Sequence, residues 1–592
     1  MVFIPKPAVL HQRLSLATCL LAVLLISSPE ALGQAQLSSR STARLAYQRG
    51  QQALQKGDLT SARADFEEAV RRSPANAEAQ AALGWVLAQQ GEVAAAVSHL
   101  KAALRLRPDF VTARLNLAGI FAQQGNLEEA EHEARLAAKS TPANADAHRS
   151  LGRILSQRNS QAEAAMELQR AVELAPQRAD LRDDLGSVLA QQGQLADAEG
   201  AFTEAVRLQS GFASAHFHLG VLRSQQHQMD DAASELRKAV ELSPRDPAPH
   251  YYLAEILSAQ SKNAEALQEL RTAAGLKPDW FEAQIALGLA CQRAADTDCA
   301  VAAFQHAVKV KPTDPEAYND LGLALIQKGD AESAIAKFRT AVELRPNDGA
   351  IRGNLGIAFM QRTDFDAAIT ELEAAIRLAP ADASLHYNLG LAYKLKDQLD
   401  KAVVELQNAI ALQPDLADAH YTLGVLFWQR GEFEKATEQL HQAIQAQPNY
   451  AEAHYTLGTV LKQEGKLPDA AASLREAIRL QPDFAGAHTT LAAVLRQLGD
   501  SAGAAEEARA ASRLTTTNND LQAATFATNS GKRLLSAGDV DGAIAQFRAA
   551  IKTADQYAPA HHLLAQALKQ QGNTQEAARE LDRATELDSH PK

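Results

Sequence analysis

Prolines recur every 34 residues along most of the chain, and this spacing restricts the possible folds more than any other feature. They stand at positions 74, 108, 142 and 176 and then at every 34th residue from 244 to 482, with Ser210 in the missing slot and Thr516 after the last one. A strict period of this length is typical of repeat proteins, in which each unit packs on its neighbours. Fourteen units fill 43–518, and two more fill 524–591.

Each unit contains two helical patterns joined by a turn. In the unit 417–450, apolar residues recur three or four positions apart before Gly431 and again after it, and Pro448 closes the unit. This spacing places the apolar residues on one face of a helix, and proline ends a helix because it lacks an N–H group. Small residues such as Ala436, Ala443 and Gly458 would let neighbouring helices approach closely. The sequence therefore predicts an all-α chain of helix pairs.

The units resemble tetratricopeptide repeats, in which a Leu-Gly pair, a turn glycine, two alanines and a proline recur at fixed positions. The Leu-Gly pair appears at Leu83-Gly84, Leu185-Gly186, Leu321-Gly322 and Leu457-Gly458. The resemblance implies a right-handed α-solenoid superhelix of about sixteen helix-turn-helix repeats. We number these repeats 1 to 16, call the two helices of each repeat A and B, and number the positions within a repeat from 1 to 34.

The first 33 residues differ from the repeats and predict a signal peptide. Basic residues precede an apolar run over 14–26, and the small residues Ala31 and Gly33 follow it. This order is typical of an export signal, so we expect cleavage before Gln34 and a linker over 34–42. The mature chain would be periplasmic or secreted, or membrane-anchored if the segment is not cleaved. No other apolar run is long enough to span a membrane.

Two helix positions predict a joint near the end of the array. Position 28 of helix B is aliphatic until Ser512 in repeat 14, and position 7 of helix A, which is Leu in repeats 2 to 14, becomes Ser530 in repeat 15. The outermost helices of a solenoid face water and become polar. We therefore predict one array over 43–518, an insertion or joint at 519–523, and a loosely coupled pair of repeats over 524–591.

Composition and motifs argue against several functions. Lys and Arg total 59 against 71 Asp and Glu, which gives a net charge of −12. Nucleic-acid binding needs a basic excess or a basic stripe, and the chain has neither. The repeats leave no room for a separate catalytic domain, and no zinc, nucleotide or hydrolase motif appears. We expect a non-enzymatic protein without a cofactor or a metal ion.

Cys291 and Cys299 lie on either side of the turn in repeat 8, and they are the only cysteines after the predicted signal peptide. Helix positions 11 and 19 lie near one another in an antiparallel helix pair, and an exported compartment favours pairing. We predict a disulfide within the repeat, with two free thiols as the alternative. A disulfide requires a Cα separation of roughly 4.4–6.8 Å.

Histidine recurs at position 4 of eight repeats. Equivalent residues of adjacent repeats are separated by two stacked helices, at roughly 8–10 Å per helix contact, which is too far for a shared metal ion. We therefore expect these side chains to pack between helices. They are His148, His216, His250, His386, His420, His454, His488 and His561.

The resemblance also indicates a binding groove, because positions 2, 5, 9, 12 and 13 of helix A line the concave face of tetratricopeptide proteins. Position 13 is Gln in twelve repeats, from Gln55 to Gln570. Such a discontinuous amide row suits an extended backbone or sugar hydroxyls, although Gln is also a good helix former on a wet surface. Repeats 11 to 14 add aromatic and cationic residues, although the tyrosines could merely cover neighbouring helices. The predicted groove residues are Tyr387, Lys394, Tyr421, Trp428, Gln429, Tyr455, Lys462, Gln463, Arg496 and Gln497.

Three functional interpretations remain open. The first is an exported scaffold that binds an extended peptide or protein partner in the groove. The second is a periplasmic assembly factor for surface polysaccharide, similar to the repeat portions of cellulose and poly-N-acetylglucosamine export proteins, in which the aromatic residues would stack on sugars. The third is the helical half of a glycosyltransferase that resembles the O-GlcNAc family, although no transferase domain follows the repeats.

Overall fold

A computed structural model describes residues 29–589, so most of the predicted signal peptide lies outside the described residues. Within this range the chain is entirely helical and contains no β-strand. The described residues divide into two compact units, one that ends at Pro278 and one that begins at Asp279, so the division lies between helix B of repeat 7 and helix A of repeat 8. We call them the first and the second unit. The all-α repeat fold predicted from the sequence is confirmed.

The helices of the first unit are α1 (Pro29–Gln55), α2 (Leu59–Arg72), α3 (Ala77–Gln89), α4 (Val93–Leu106), α5 (Val111–Gln123), α6 (Leu127–Ser140), α7 (Ala145–Gln157), α8 (Gln161–Leu174), α9 (Ala179–Gln191), α10 (Leu195–Leu208), α11 (Ala213–Gln225), α12 (Met229–Leu242), α13 (Pro247–Ala259) and α14 (Asn263–Leu276). The helices of the second unit are α15 (Phe281–Arg293), α16 (Thr297–Val310), α17 (Pro315–Lys328), α18 (Ala331–Leu344), α19 (Gly349–Gln361), α20 (Phe365–Leu378), α21 (Ala383–Leu395), α22 (Leu399–Leu412), α23 (Ala417–Gln429), α24 (Phe433–Ala446), α25 (Ala451–Gln463), α26 (Leu467–Leu480), α27 (Ala485–Gln497), α28 (Ser501–Ser536), α29 (Val540–Thr553), α30 (Ala558–Gln571) and α31 (Thr574–Ser589).

The turn between helices A and B requires a left-handed backbone at position 15. Gly431 has φ 76° there, which glycine adopts without steric cost. Six repeats place another residue at this position, and the backbone keeps the same conformation, with φ 63° at Thr363 and 55° at Ala295. A side chain in this region costs roughly 1–3 kcal/mol. The helix packing on both sides therefore determines the turn even where the local sequence disfavours it.

Small residues let the paired helices approach each other, as the sequence predicts. A Cβ added to Gly458 at position 8 would lie 2.6 Å from Cγ of Leu474 in helix B, so only glycine fits without a shift. Ala436 and Ala443 are fully buried. The described core therefore combines small residues with aliphatic side chains and with buried phenylalanines such as Phe338.

The predicted joint takes the form of a helix. Residues 514–523 lie inside α28, which joins helix B of repeat 14 to helix A of repeat 15 without a turn. No residue between Ala511 and Ala524 is buried, so this segment bridges two packed regions while exposing its own surface. At the other end, the residues predicted as a linker, 34–42, are helical and extend α1 back to Pro29. Loose coupling of the last two repeats stays a prediction.

Between residues 29 and 589, no helix combines the length and the apolar character that crossing a lipid bilayer requires.

Candidate functional site

We call the surface formed by helix A positions 2, 5, 9, 12 and 13 the A face. In the second unit, the A helices of repeats 12 to 14 contact one another in succession, from α23 through α25 to α27, and α21 of repeat 11 shares one buried core with them. This packing brings the predicted residues of these repeats onto one continuous surface. Each helix supplies the same positions, so equivalent side chains of successive repeats form rows along the A face.

Aromatic side chains make the first row, near the start of the A helices. The rings of Tyr421 and Tyr450 are 5.0 Å apart, and the Tyr450 hydroxyl donates to the Asp418 carboxylate at 3.0 Å. In the next repeat, Tyr455 lies 4.7 Å from the ring of Phe484. Burial, with the Asp418 carboxylate beside the hydroxyl, raises the pKa of Tyr450 above its usual range. The rings are thus held in fixed positions by one another.

Tyr387 continues this row in repeat 11. Its side chain is half-buried and hydrogen-bonds to Thr422 in the next repeat, and burial raises the pKa of its hydroxyl. The contact joins position 5 of one repeat to position 6 of the following one. The tyrosines therefore both cover neighbouring helices and leave part of each ring exposed.

A second row stands at position 12, near the end of the A helices. Trp428 is half-buried, and its indole N–H donates to Oε1 of Gln463 in the next repeat at 2.8 Å. Lys394 is also half-buried, and burial lowers the pKa of its ammonium group. Lys462 is half-buried and Arg496 is exposed. Salt bridges within residues 41–589 include none of these three cations.

The predicted glutamine row is in place at position 13. All twelve side chains are exposed, among them Gln429, Gln463 and Gln497. Across the described repeats no hydrogen bond joins one of these glutamines to another, so the amide row is a set of separate groups. Oε1 of Gln463 accepts from Trp428, and Oε1 of Gln191 accepts from Ser156 and Gln161. The other amide groups of the row have no hydrogen bond within the described repeats and can bind a partner.

The contribution of position 34 was not predicted from the sequence. In several repeats this residue is Asp or Asn and caps the following helix A, as Asp382 does by accepting from the Ser384 N–H at 2.9 Å. Tyr450 and Phe484 make no such cap. A cap is worth about 1 kcal/mol, and here an aromatic ring on the A face replaces it. The alternation between Asp or Asn and an aromatic residue at one position was the available signal.

A cavity in the first unit was also not predicted from the sequence. It measures about 360 Å³ and lies between the A helices of repeats 3 and 4, where Gly119 and Ala122 leave room beside Arg149 and Arg153. Its other lining residues also come from helix A, and together they occupy positions 2, 5, 6, 9, 10, 12 and 13. Small side chains at positions 9 and 12 are therefore what opens the A face here.

The position 4 histidines form a defined clamp between repeats. In repeat 7, His250 Nε2–H donates to the carbonyl oxygen of Pro244 in the preceding repeat at 3.2 Å, while Nδ1 lies 2.5 Å from the Glu269 carboxylate on helix B. Arg114 makes the equivalent pair of contacts in repeat 3. Since both ring nitrogens of His250 are engaged by the protein, its role is to hold adjacent repeats together.

A disulfide joins Cys291 and Cys299 across the turn of repeat 8, with a Cα separation of 5.8 Å. Asp296 lies in the same turn, and its side chain accepts from the Cys299 N–H at 3.1 Å. Ligand atoms of these three residues lie within 4.8 Å of one another, but the disulfide uses both sulfur atoms. The disulfide therefore links helices A and B of repeat 8 covalently at the turn where Ala295 has a strained, positive φ.

Comparison with known proteins agrees with this geometry. Models described as "Tetratricopeptide repeat" match residues 47–109, 130–179, 184–247, 285–349, 421–482 and 455–519, which together cover more than half of the chain. A further model of that description matches 87–154, 224–290 and 534–591, and one described as "TPR repeat" matches 356–397 and 395–431. A search of curated proteins gave no match.

Solved structures of repeat proteins resemble parts of the chain. The APC/C hetero-tetramer Cut9-Hcn1 is 16% identical, with 78% of this chain and 99% of that chain covered and a TM-score of 0.36. MamA from Desulfovibrio magneticus RS-1 is 26% identical over 29% of this chain and 96% of its own, with a TM-score of 0.27. YrrB, described as a TPR protein with an unusual peptide-binding site, is 24% identical over 31% and 95%, with a TM-score of 0.26. By its matched repeat models, the chain belongs to the tetratricopeptide repeat family.

Proposed function

We propose that this protein is an exported, non-enzymatic scaffold that binds an extended peptide or a protein partner along the A face of repeats 11 to 14. Tetratricopeptide repeat proteins are generally scaffolds for protein interactions, and the fold supports that general role. The specific site is supported by one observation above all, which is the row of aromatic side chains held in place by contacts between repeats. These rings are ordered before a partner arrives and remain partly exposed.

Preordered aromatic side chains suit binding for two reasons. Aromatic and Arg residues contribute most of the binding energy in protein interfaces. A side chain that is already fixed also loses little conformational entropy on binding, which otherwise costs about 0.5–1.5 kcal/mol for each mobile side chain. Tyr421, whose ring packs 5.0 Å from that of Tyr450, and Trp428, which is hydrogen-bonded to Gln463, both meet this condition. The exposed glutamines beside them can bond the backbone of an extended chain.

Partner recovery from the native envelope fraction tests this site. The tagged full chain is compared with the triple variant Tyr421→Ala, Trp428→Ala, Tyr455→Ala, and we expect the variant to lose most of the recovered partner. A matched control removes the aromatic cluster of the first unit, where Phe217 lies 5.5 Å from Tyr252, by Phe217→Ala, Tyr251→Ala, Tyr252→Ala. Circular dichroism checks that both variants keep their helix content.

Equal partner recovery by the Tyr421 triple variant and the wild type would reject the site. Retention on a glycan array in place of a peptide array would instead favour the polysaccharide interpretation. Export is tested separately by sequencing the N-terminus of the mature protein, which we expect to begin at Gln34. An intact N-terminus on a protein that remains inside the inner membrane contradicts export.

A further inference from the structure

The end of the A face in repeats 11 to 14 presents hydrogen-bond donors. Lys394, Lys462 and Arg496 occupy position 12 of their repeats, and their side chains carry N–H donors and no acceptor. The fourth residue of this row is Trp428, whose indole offers one N–H group. We call these four residues the position-12 row.

The bond between Trp428 and Gln463 adds two more donors to this row. Because an indole N–H can only donate, the atom it meets must be the amide oxygen of Gln463, at 2.8 Å. The amide nitrogen of Gln463 therefore points away from the indole, and it makes no hydrogen bond within residues 41–589. Its two N–H groups remain available beside Lys462.

The cations of this row differ from paired cations elsewhere on the A face. In the first unit, Arg149 lies against both Asp180 and Asp184, so its charge is neutralised within the protein. In the position-12 row, Lys394 is half-buried, burial lowers the pKa of its ammonium group, and no salt bridge within residues 41–589 includes it. A partly desolvated charge without a counter-ion is unfavourable, and an incoming carboxylate would relieve that cost.

We propose that the position-12 row binds the acidic side chains of an extended peptide segment in the partner. This inference rests on the proposed function and specifies the chemistry of the partner. The A helices of successive repeats are at least roughly 8–10 Å apart, the spacing of one packed helix pair, which corresponds to about three or more residues of extended chain at roughly 3.3 Å each. Cations in repeats 11, 13 and 14 would thus meet carboxylates spaced several residues apart, with Trp428 contacting an apolar residue between them.

The same observations favour a peptide over a densely charged polymer. Nucleic acid carries a phosphate at every nucleotide, whereas the row offers three cations on a protein of net charge −12. The start of the same helices carries the carboxylates Asp418 and Glu452, which would repel a broad polyanion. A narrow segment that places a few carboxylates along the row avoids this repulsion.

Defined peptides test the inference on the full chain. Two fluorescent probes are compared by anisotropy, one of alternating Glu and Ala and one of alternating Gln and Ala. We expect the Glu probe to bind at least tenfold more tightly than the Gln probe, and this preference to shrink as salt is raised, because exposed charges are screened. The triple variant Lys394→Gln, Lys462→Gln, Arg496→Gln should lose at least tenfold in affinity for the Glu probe.

A matched control removes the same charge from the B helices. The variant Lys337→Gln, Arg377→Gln, Arg475→Gln changes net charge equally, and we expect its affinity for the Glu probe to stay within twofold of wild type. The inference is wrong if the Glu probe does not bind, if both probes bind equally, or if both variants weaken binding equally. It is also wrong if an oligouronate binds more tightly than the Glu probe. In each case, aromatic-dependent partner recovery would still support the proposed function.

Discussion

The A faces of the two units differ most at position 12. Repeats 2 to 7 place a small residue there in every case: Ala88, Ala122, Ser156, Ala190, Ser224 and Ser258. Repeats 8 to 14 place a long one there: Gln292, Ile326, Met360, Lys394, Trp428, Lys462 and Arg496. The change coincides with the division between the units. One repeat backbone thus carries two different surfaces, one with a cavity and one with projecting donors.

The features beneath these surfaces are shared. His250 in the first unit and His386 in the second both bond a carbonyl of the preceding repeat and a glutamate on helix B. The turn conformation and the buried alanines also recur in both units. Because packing occupies the other positions of helix A, the A face is where the sequence can change without loss of the fold. Binding should therefore depend on the residues of the A face, and folding stability should depend on the contacts that both units share.

The sharpest test of this division compares two neighbouring helix positions. Gly322→Leu at position 8 should destabilise the second unit by roughly 3 kcal/mol, because an added Cβ already lies 2.5 Å from Phe338 and overpacking costs about 1–3 kcal/mol or more. Gly119→Leu at position 9 should change stability little or raise it, since nothing lies within 4 Å of its Cβ and leucine favours a helix. Urea unfolding followed by circular dichroism measures both. Similar losses in the two variants would remove the distinction between core and A face.

The sequence was sufficient to predict the repeat fold because several independent sequence features indicate the same structure. The 34-residue period, the turn glycines and the small residues at position 8 all indicate the same helix pairs, and the helix bounds follow them. The continuous helix α28 was not foreseen. Its cause is visible in retrospect, because Thr516 stands in the proline slot and nothing between 514 and 523 ends a helix.

The candidate site was only partly predictable. Helix periodicity alone groups positions 5, 12 and 13 on one side of helix A, and the binding role of these residues stays a prediction. The side-chain contacts of these residues were not predicted, since Tyr450, which contacts Tyr421 and Asp418, lies just before the next helix A. Such contacts depend on the direction in which the turn between two repeats points the side chain at position 34. The charge pairing of Arg149 likewise depends on residues 31 and 35 positions away.

The next test uses the cations of the two A faces. Arg149→Gln should destabilise the first unit by about 1–2 kcal/mol, because it leaves the carboxylate of Asp184 with a charge partner only at 4.0 Å. Lys394→Gln should leave the second unit unchanged or slightly more stable, since it removes a half-buried charge that has no carboxylate partner. Thermal unfolding of both variants gives the comparison. A clear loss of stability in Lys394→Gln would mean that its charge is satisfied within the protein.

The smallest expected effect is an opposite pH dependence of two A-helix carboxylates. Hydrogen bonds from Arg178 lower the pKa of Asp180, so this residue stabilises the first unit above its unfolded pKa of about 3.9, and the contribution is lost as the pH falls. Burial, with Glu316 nearby, raises the pKa of Asp320 to about 6, so ionisation costs stability as the pH rises from about 4 through 6.

Two variants separate these contributions. Asp320→Asn should therefore raise the stability of the second unit at pH 8 by about 1 kcal/mol, after allowance for solvent screening, and should have no effect near pH 3.5. Asp180→Asn should lower stability at pH 7 and have less effect near pH 3. Urea midpoints measured across this pH range test both expectations. Parallel pH profiles for the two variants would show that the A helices of the two units affect their carboxylates alike. That result would contradict a first unit that neutralises its own charges and a second unit that leaves them for a partner.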